Sequence, residues 1–192
     1  MNIANKLTML RIVLTFVFMF FLFVHGLWAK VIAFAIFIFA ALSDYFDGRI
    51  AQKHNMVTDF GKLMDPIADK VLVLAAFAVF VQMQLIEAWM FVLIIFREIL
   101  ITSLRLFALN KGKVLSAAKA GKHKTVSQMS VIFLILSFIV LKETMLTFFA
   151  WSPGWEEFFR HGIYILMLIT VGLTLYSGLS YLWDNRKIIA RL

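Results

Sequence analysis

The chain contains no cysteine, which excludes disulfides, thiolate nucleophiles and sulfur-ligated metals. Proline is almost as scarce, with two residues in 192, so little interrupts a helix along most of the sequence. Charged residues make up only 16%, too few to cover an ordinary soluble surface. Alternating apolar and polar strands of about ten residues, the mark of a membrane β-barrel, are also absent. What fills the sequence is apolar. Hydrophobic residues reach 62%, Phe alone occurs 21 times, and the mean hydropathy is +0.91.

Six apolar runs fall near residues 7–28, 31–52, 66–86, 88–109, 122–142 and 159–183. Each falls within the roughly 17–25 residues that cross a bilayer as helix. The expected fold is therefore all-α: a polytopic membrane protein of six transmembrane helices forming one domain over residues 1–192. The first run follows Lys6 and Arg11 without a small-residue cleavage site and reads as a retained helix. No linker or internal repeat stands out. Residues 143–160 read as the one long connection, with Pro153-Gly154 as a turn signal. Asp65-Pro66 reads as an N-cap and first helical position opening the third helix, with Gly61 in the preceding tight connection.

Six helices put both termini on one side. Of the 19 Lys and Arg residues, all but Lys30, Lys142 and Arg160 then fall on that same face. This is the positive-inside pattern, which places both termini in the cytoplasm. Trp28, Trp89, Trp151 and Trp155 fall on the opposite side, as interfacial anchors do. A net charge of +8 so distributed suits anionic headgroups and phosphorylated substrates, not nucleic acid.

Against this background four carboxylates stand out. Asp44 and Asp47 are about 60° apart around a helix axis, and Asp65 and Asp69 about 40° apart on the next helix. Pairing with Arg49, Lys53, Lys62 or Lys70 accounts for one aspartate taken alone, but poorly for four at helical spacing. Carboxylates in apolar segments persist mainly where they line a cavity and hold ions. An all-oxygen ligand set suits hard cations, Mg²⁺ or Mn²⁺, and implies a phosphate-bearing substrate. Gly48 and Ala51 on the same helix leave room for a bulky ligand near the backbone.

The spacing resembles the signature of the CDP-alcohol phosphotransferase family, Asp-x2-Asp-Gly-x2-Ala-Arg-x8-Gly-x3-Asp-x3-Asp. Asp44, Asp47, Gly48, Ala51, Gly61, Asp65 and Asp69 match it at every interval. Gln52 stands where the signature has Arg, keeping a donor but losing the charge and the bidentate fork. The resemblance implies six transmembrane helices, a homodimer, and a site at the cytoplasmic interface that cleaves a CDP-linked lipid. It implies that Asp44, Asp47 and Asp65 ligate two metal ions. Asp69 is implied both to ligate a metal and to act as general base toward an acceptor hydroxyl.

The acceptor is addressed by other residues. Arg97 and Arg105 lie about 80° apart and about 12 Å along the fourth helix. Arginines buried in a membrane should face the bundle interior and an anion. The sequence Gly121-Lys122-His123-Lys124-Thr125 opens the fifth helix with two ammonium groups and free backbone donors. Pairing of Arg97 with Glu98, and topology for the lysines, are the plainer explanations.

The Arg97–Arg105 and Gly121–Thr125 stretches resemble those of one group in the family, the bacterial phosphatidylglycerophosphate synthases. Asn5-x-Leu7-Thr8-x-x-Arg11 is similar too, with Ala4 in place of a proline. The likeness spans Asn2 to about Ser130. It implies CDP-diacylglycerol as donor, sn-glycerol 3-phosphate as acceptor, and a bacterial inner membrane among membrane lipids. Arg97, Arg105, Lys122, Lys124 and Thr125 are then expected at the acceptor phosphate, and Asn5, Thr8, Arg11, Gly48 and Ala51 at the CDP-lipid. Other acceptors (serine, inositol phosphate or phosphatidylglycerol) remain alternatives. A cation transporter is a more distant one, because its charges would sit near the midplane on broken helices. The scattered histidines form no metal or triad set, and Ser43 and Ser103 lack a nearby base.

Overall fold

The computed structural model describes the backbone of residues 3–54, 59–113, 115 and 120–189. Side chains are described over 8–43, 70–113, 115, 124–186 and 188–189. Every regular element among these residues is an α-helix: α1 (Ile3–Phe23), α2 (Leu27–His54), α3 (Asp59–Gln82), α4 (Ala88–Asn110), α5 (Ala120–Phe148), α6 (Pro153–Asp184) and the short α7 (Arg186–Ile189). The all-α expectation holds. Two described stretches, Lys124–Phe148 and Pro153–Asp184, are long and apolar enough to cross a membrane. Thr8–Phe23, Leu27–Ser43 and Lys70–Gln82 are shorter apolar stretches. α4 is of similar length but carries Arg97, Glu98 and Arg105.

Two connections differ from expectation. Residues 143–160 are mostly helical, leaving only a short link between α5 and α6. Thr144 and Thr147 donate their hydroxyls to the carbonyls of Val140 (2.8 Å) and Glu143 (2.7 Å), so α5 continues without exposing unpaired polar groups. Pro153 begins α6 instead of making a turn, because the first helical position needs no N–H. The Trp155 amide reaches back to the Ser152 carbonyl at 3.1 Å. The second difference concerns Pro66, which lies inside α3 because that helix already begins at Asp59. Gly61 is likewise helical. Extending the helix backward pairs the backbone of residues 59–65, which matters more in an apolar setting than the one bond that Pro66 cannot make.

The chain consists of two compact units, Met1–Val79 with Leu134–Trp155, and Phe80–Phe133 with Glu156–Leu192. In the first unit α1 and α2 form a hairpin. Its turn passes through Gly26 at φ +101°, a left-handed conformation open mainly to glycine. Lys30 donates to the carbonyls of Leu22 and Val24, satisfying acceptors that the end of α1 leaves unpaired. Phe18 and Phe37 are buried between the two helices with ring centroids 5.6 Å apart.

In the second unit two helix ends close in the same way. At the end of α4, Lys113 N–H bonds Ala108 O and Gly112 N–H bonds Leu109 O, both at 2.9 Å, with Gly112 at φ +69°. At the end of α3, Leu85 N–H bonds Phe80 O and Gln84 N–H bonds Val81 O, again both at 2.9 Å, with Gln84 at φ +56°. Both are Schellman turns. Only the first has the residue that its backbone prefers. Arg160 donates to the Gln84 carbonyl at 2.7 Å and to Glu156, tying the α3 turn to the start of α6.

These turns predict substitutions of opposite sign. Gly112→Ala should lower the midpoint of thermal unfolding in detergent by the equivalent of about 1 kcal/mol. Gln84→Gly should raise it by a smaller amount, since relief of the left-handed strain is partly offset by unfolded-chain entropy.

Candidate active site

α4 carries two charges into an apolar environment, and the second unit is arranged around them. Arg97, Glu98 and Lys124 are all buried, at 7, 5 and 8% exposure. Buried ions are tolerated only when paired and hydrogen-bonded. Here one carboxylate oxygen serves both cations. Arg97 Nη1 donates to Glu98 Oε1 at 3.2 Å, and Lys124 Nζ donates to the same atom from α5. Thr102 donates its hydroxyl to the Glu98 carbonyl at 2.7 Å, one turn further along α4.

The other side of this cluster is built by α6. Its buried residues include Thr170, Thr174, Ser177, Gly178 and Tyr181. Offsets of 4, 3, 1 and 3 residues keep them on one face of a helix. Successive turns of that face each offer one hydroxyl to a neighbouring helix. Thr170 Oγ1 meets Ser127 Oγ of α5 at 2.7 Å, Gln128 Nε2 of α5 donates to Thr174 Oγ1 at 3.4 Å, and Arg97 Nη2 donates to Ser177 Oγ at 2.9 Å. At Gly178 there is no side chain, and Arg97 occupies the space. A Cβ there would lie 3.0 Å from Arg97 Cγ.

Arg105 is exposed, and its guanidinium carbon is 5.8 Å from the centroid of the Tyr181 ring, within cation–π range. It is also within electrostatic reach of Arg97. Among the described residues, Arg97 Nε and the Tyr181 hydroxyl are buried without a hydrogen-bond partner. Buried polar atoms left in this state are uncommon and call for a ligand or water. The arrangement as a whole offers N–H donors from fixed cations. It can bind an anion. It contains no paired nucleophile and base.

Several residues singled out by the sequence therefore come together: Arg97 and Lys124 through Glu98, and Arg105 through Tyr181. The pairing of Arg97 with Glu98, considered above as the plainer explanation, is present as well. Thr125 is exposed on α5, while Lys122 lies on α5 with its side chain outside the described residues. Thr8 and Arg11 are buried on α1, each at 2% exposure. Asn5 is on the first turns of α1, Asp44, Asp47, Gly48 and Ala51 on the second half of α2, and Asp65 and Asp69 on the first half of α3. The side chains of these seven lie outside the described residues, so the expected metal site is placed only by its helices. Among the described residues no group of three His, Asp or Glu side chains could hold a metal.

Glu98 and the α6 residues Ser177, Gly178 and Tyr181 were not among the expected site residues. A signal for α6 existed: hydroxylic and small residues recur on one face of an otherwise apolar run, a pattern that marks helix contact in lipid.

A model of the family described as CDP-alcohol phosphatidyltransferase matches residues 1–176. A Bacillus subtilis protein named CDP-diacylglycerol–glycerol-3-phosphate 3-phosphatidyltransferase is 37% identical over 183 residues, covering 83% of this chain and 95% of that protein. A Salmonella typhimurium protein of the same name is 35% identical over 188 residues, 94% of this chain and 93% of the relative. A probable phosphatidylglycerophosphate synthase of Mycobacterium tuberculosis is 42% identical over 130 residues, 66% of this chain and 62% of its own length.

Removing the shared carboxylate takes away a counter-charge that two buried cations share. Glu98→Ala is expected to destabilise the protein by about 3–5 kcal/mol, read as a fall in unfolding midpoint and in monodisperse yield in detergent. Arg105→Ala, at an exposed position, should leave both nearly unchanged.

Proposed function

The chain belongs to the CDP-alcohol phosphatidyltransferase family, and on that premise we propose that it transfers the phosphatidyl group of CDP-diacylglycerol to sn-glycerol 3-phosphate. The products are phosphatidylglycerophosphate and CMP, a step of phospholipid biosynthesis. The observation that carries the acceptor is Arg97, a buried guanidinium whose Nε has no described hydrogen-bond partner, grouped with Lys124 and Arg105. A phosphate monoester offers a guanidinium two acceptor oxygens in the matching geometry. Serine carries no phosphate, and its single carboxylate makes less use of three grouped cations. The names of the Bacillus and Salmonella relatives specify the same donor and acceptor.

In this reading Arg97, Arg105, Lys122, Lys124 and Thr125 hold the acceptor phosphate. The acceptor hydroxyl attacks the phosphorus next to diacylglycerol. The new P–O bond forms as the bond to CMP breaks, and the hydroxyl proton passes to Asp69. Asn5, Thr8 and Arg11 of α1, with Gly48 and Ala51 of α2, hold the CDP-lipid. Burial of Thr8 and Arg11 is consistent with polar contacts inside the protein. Asp44, Asp47, Asp65 and Asp69 would hold two divalent cations. A set of four carboxylates fits Mg²⁺ or Mn²⁺ by chemistry, and continuous helix through 44–47 and 65–69 brings each pair within about one turn. When bound, such ions offset charge on the diphosphate and on the departing CMP.

We place the enzyme in the bacterial inner membrane as a six-span homodimer with both termini cytoplasmic. Large apolar side chains exposed on α1, α2, α4 and α6, among them Phe16, Phe39, Phe96 and Leu179, are what a lipid-facing surface requires. The homodimer rests on family resemblance.

The test is CMP release by purified protein given CDP-diacylglycerol, Mg²⁺ and separate acceptors. Turnover is expected with glycerol 3-phosphate, lost on chelation and restored by Mg²⁺. Turnover with serine but not glycerol 3-phosphate would refute the acceptor. Asp69→Asn should keep CDP-lipid binding while kcat falls by about 100-fold or more. Near-normal CMP release from that variant would remove Asp69 as the base.

A further inference from the structure

We propose that Ser177 and Gly178 of α6 are positioning residues that hold the Arg97 guanidinium in the pose that receives the acceptor phosphate. The inference rests on the reading of Arg97 as an acceptor-phosphate ligand and extends it to a helix that the reaction chemistry does not otherwise involve.

An arginine side chain has many rotamers, and ordering it costs about 2 kcal/mol. Three contacts fix this one. Nη1 is held by Glu98 at 3.2 Å and Nη2 by Ser177 at 2.9 Å. The aliphatic stem lies across α6 at Gly178, where a Cβ would come within 3.0 Å of Cγ and 3.5 Å of Nε. A guanidinium has five N–H donors. These bonds occupy two, and of the three left the Nε donor, buried and without a described partner, is held ready for a ligand. Ser177 thus fixes the direction of the guanidinium plane, and Gly178 provides the depth at which it lies. Adjacent residues on one helix control both. The hydroxyls of Thr170 and Thr174 serve a different purpose. Thr170 and Thr174 bond uncharged residues of α5, so they hold the helices together.

If Ser177 only packs helices, its loss should affect both substrates alike through general instability. If it positions Arg97, the effect should fall on one substrate. The experiment uses the full chain in detergent with CDP-diacylglycerol and Mg²⁺, measuring CMP release against each substrate in turn. Ser177→Ala is expected to raise the KM for glycerol 3-phosphate about tenfold, the scale of one hydrogen bond to a charged group. The KM for CDP-diacylglycerol should stay unchanged. Ser177→Thr retains the hydroxyl and should restore most of the affinity. Gly178→Ala should raise the same KM because Arg97 must withdraw from its groove. In an Arg97→Ala background, Ser177→Ala should add nothing further, since the residue it positions is gone. An unchanged glycerol 3-phosphate KM in Ser177→Ala, an equal rise in both KM values, or additivity with Arg97→Ala would each overturn the assignment while leaving the acceptor reading intact. Failure of the unsubstituted chain to use glycerol 3-phosphate overturns the acceptor reading and this inference together.

Discussion

One carboxylate oxygen, Oε1 of Glu98, holds a guanidinium from its own helix and an ammonium from the next. Away from water, three such groups are stable only if each meets an opposite charge or a hydrogen bond. That requirement brings the start of α5 against α4 and calls for a polar face on a third helix. α6 meets it with hydroxyls and a glycine in place of large apolar side chains. The local architecture of the second unit can thus be traced to the cost of placing Arg97 in α4.

The same constraint links packing to function. A buried arginine adds little to the stability of a helical bundle, since matched apolar residues of similar volume often do as well or better. Its retention makes sense if the guanidinium has an anion to meet. The pairing of Arg97 with Glu98 and its use as a ligand are therefore compatible. The carboxylate holds the guanidinium through Nη1 and leaves other N–H groups available to an anion. The hydroxyls of α6 are suited to this work because Ser and Thr in an apolar helix can bond across to a neighbour without carrying charge.

Much of the fold was legible because long apolar runs with few prolines leave helix as the economical way to pair the backbone. The connections were less so. Pro66 and Pro153-Gly154 are strong local signals, yet Pro66 lies inside a helix and Pro153 starts one, because continuous backbone pairing outweighs turn chemistry at these positions. In the site, Arg97 and Arg105 were found by the cost of charge in an apolar segment, and Lys124 as one of two ammonium groups opening the fifth helix. Ser177 and Gly178 were missed because a serine and a glycine hardly alter the hydropathy of a helix as apolar as α6. Their significance depends on Arg97, 80 residues away, and no local pattern links the two. The aspartates were the reverse case, evident from spacing alone, while their side chains lie outside the described residues.

The order of the partners along the chain has a consequence for how the protein is made. Arg97 and Glu98 are synthesised together, Lys124 only after the connection that follows α4, and Ser177 only with α6. A nascent chain that has completed α4 therefore has a neutral Arg–Glu couple, the least costly form in which two ions can wait beside lipid. The exposed Arg105 apart, the buried cationic excess appears only with Lys124 of α5, and the hydroxyl face that accommodates Arg97 comes with α6. Adjacency of Arg97 and Glu98 thus makes the sequence tolerable during its own synthesis, before the tertiary structure exists to justify it.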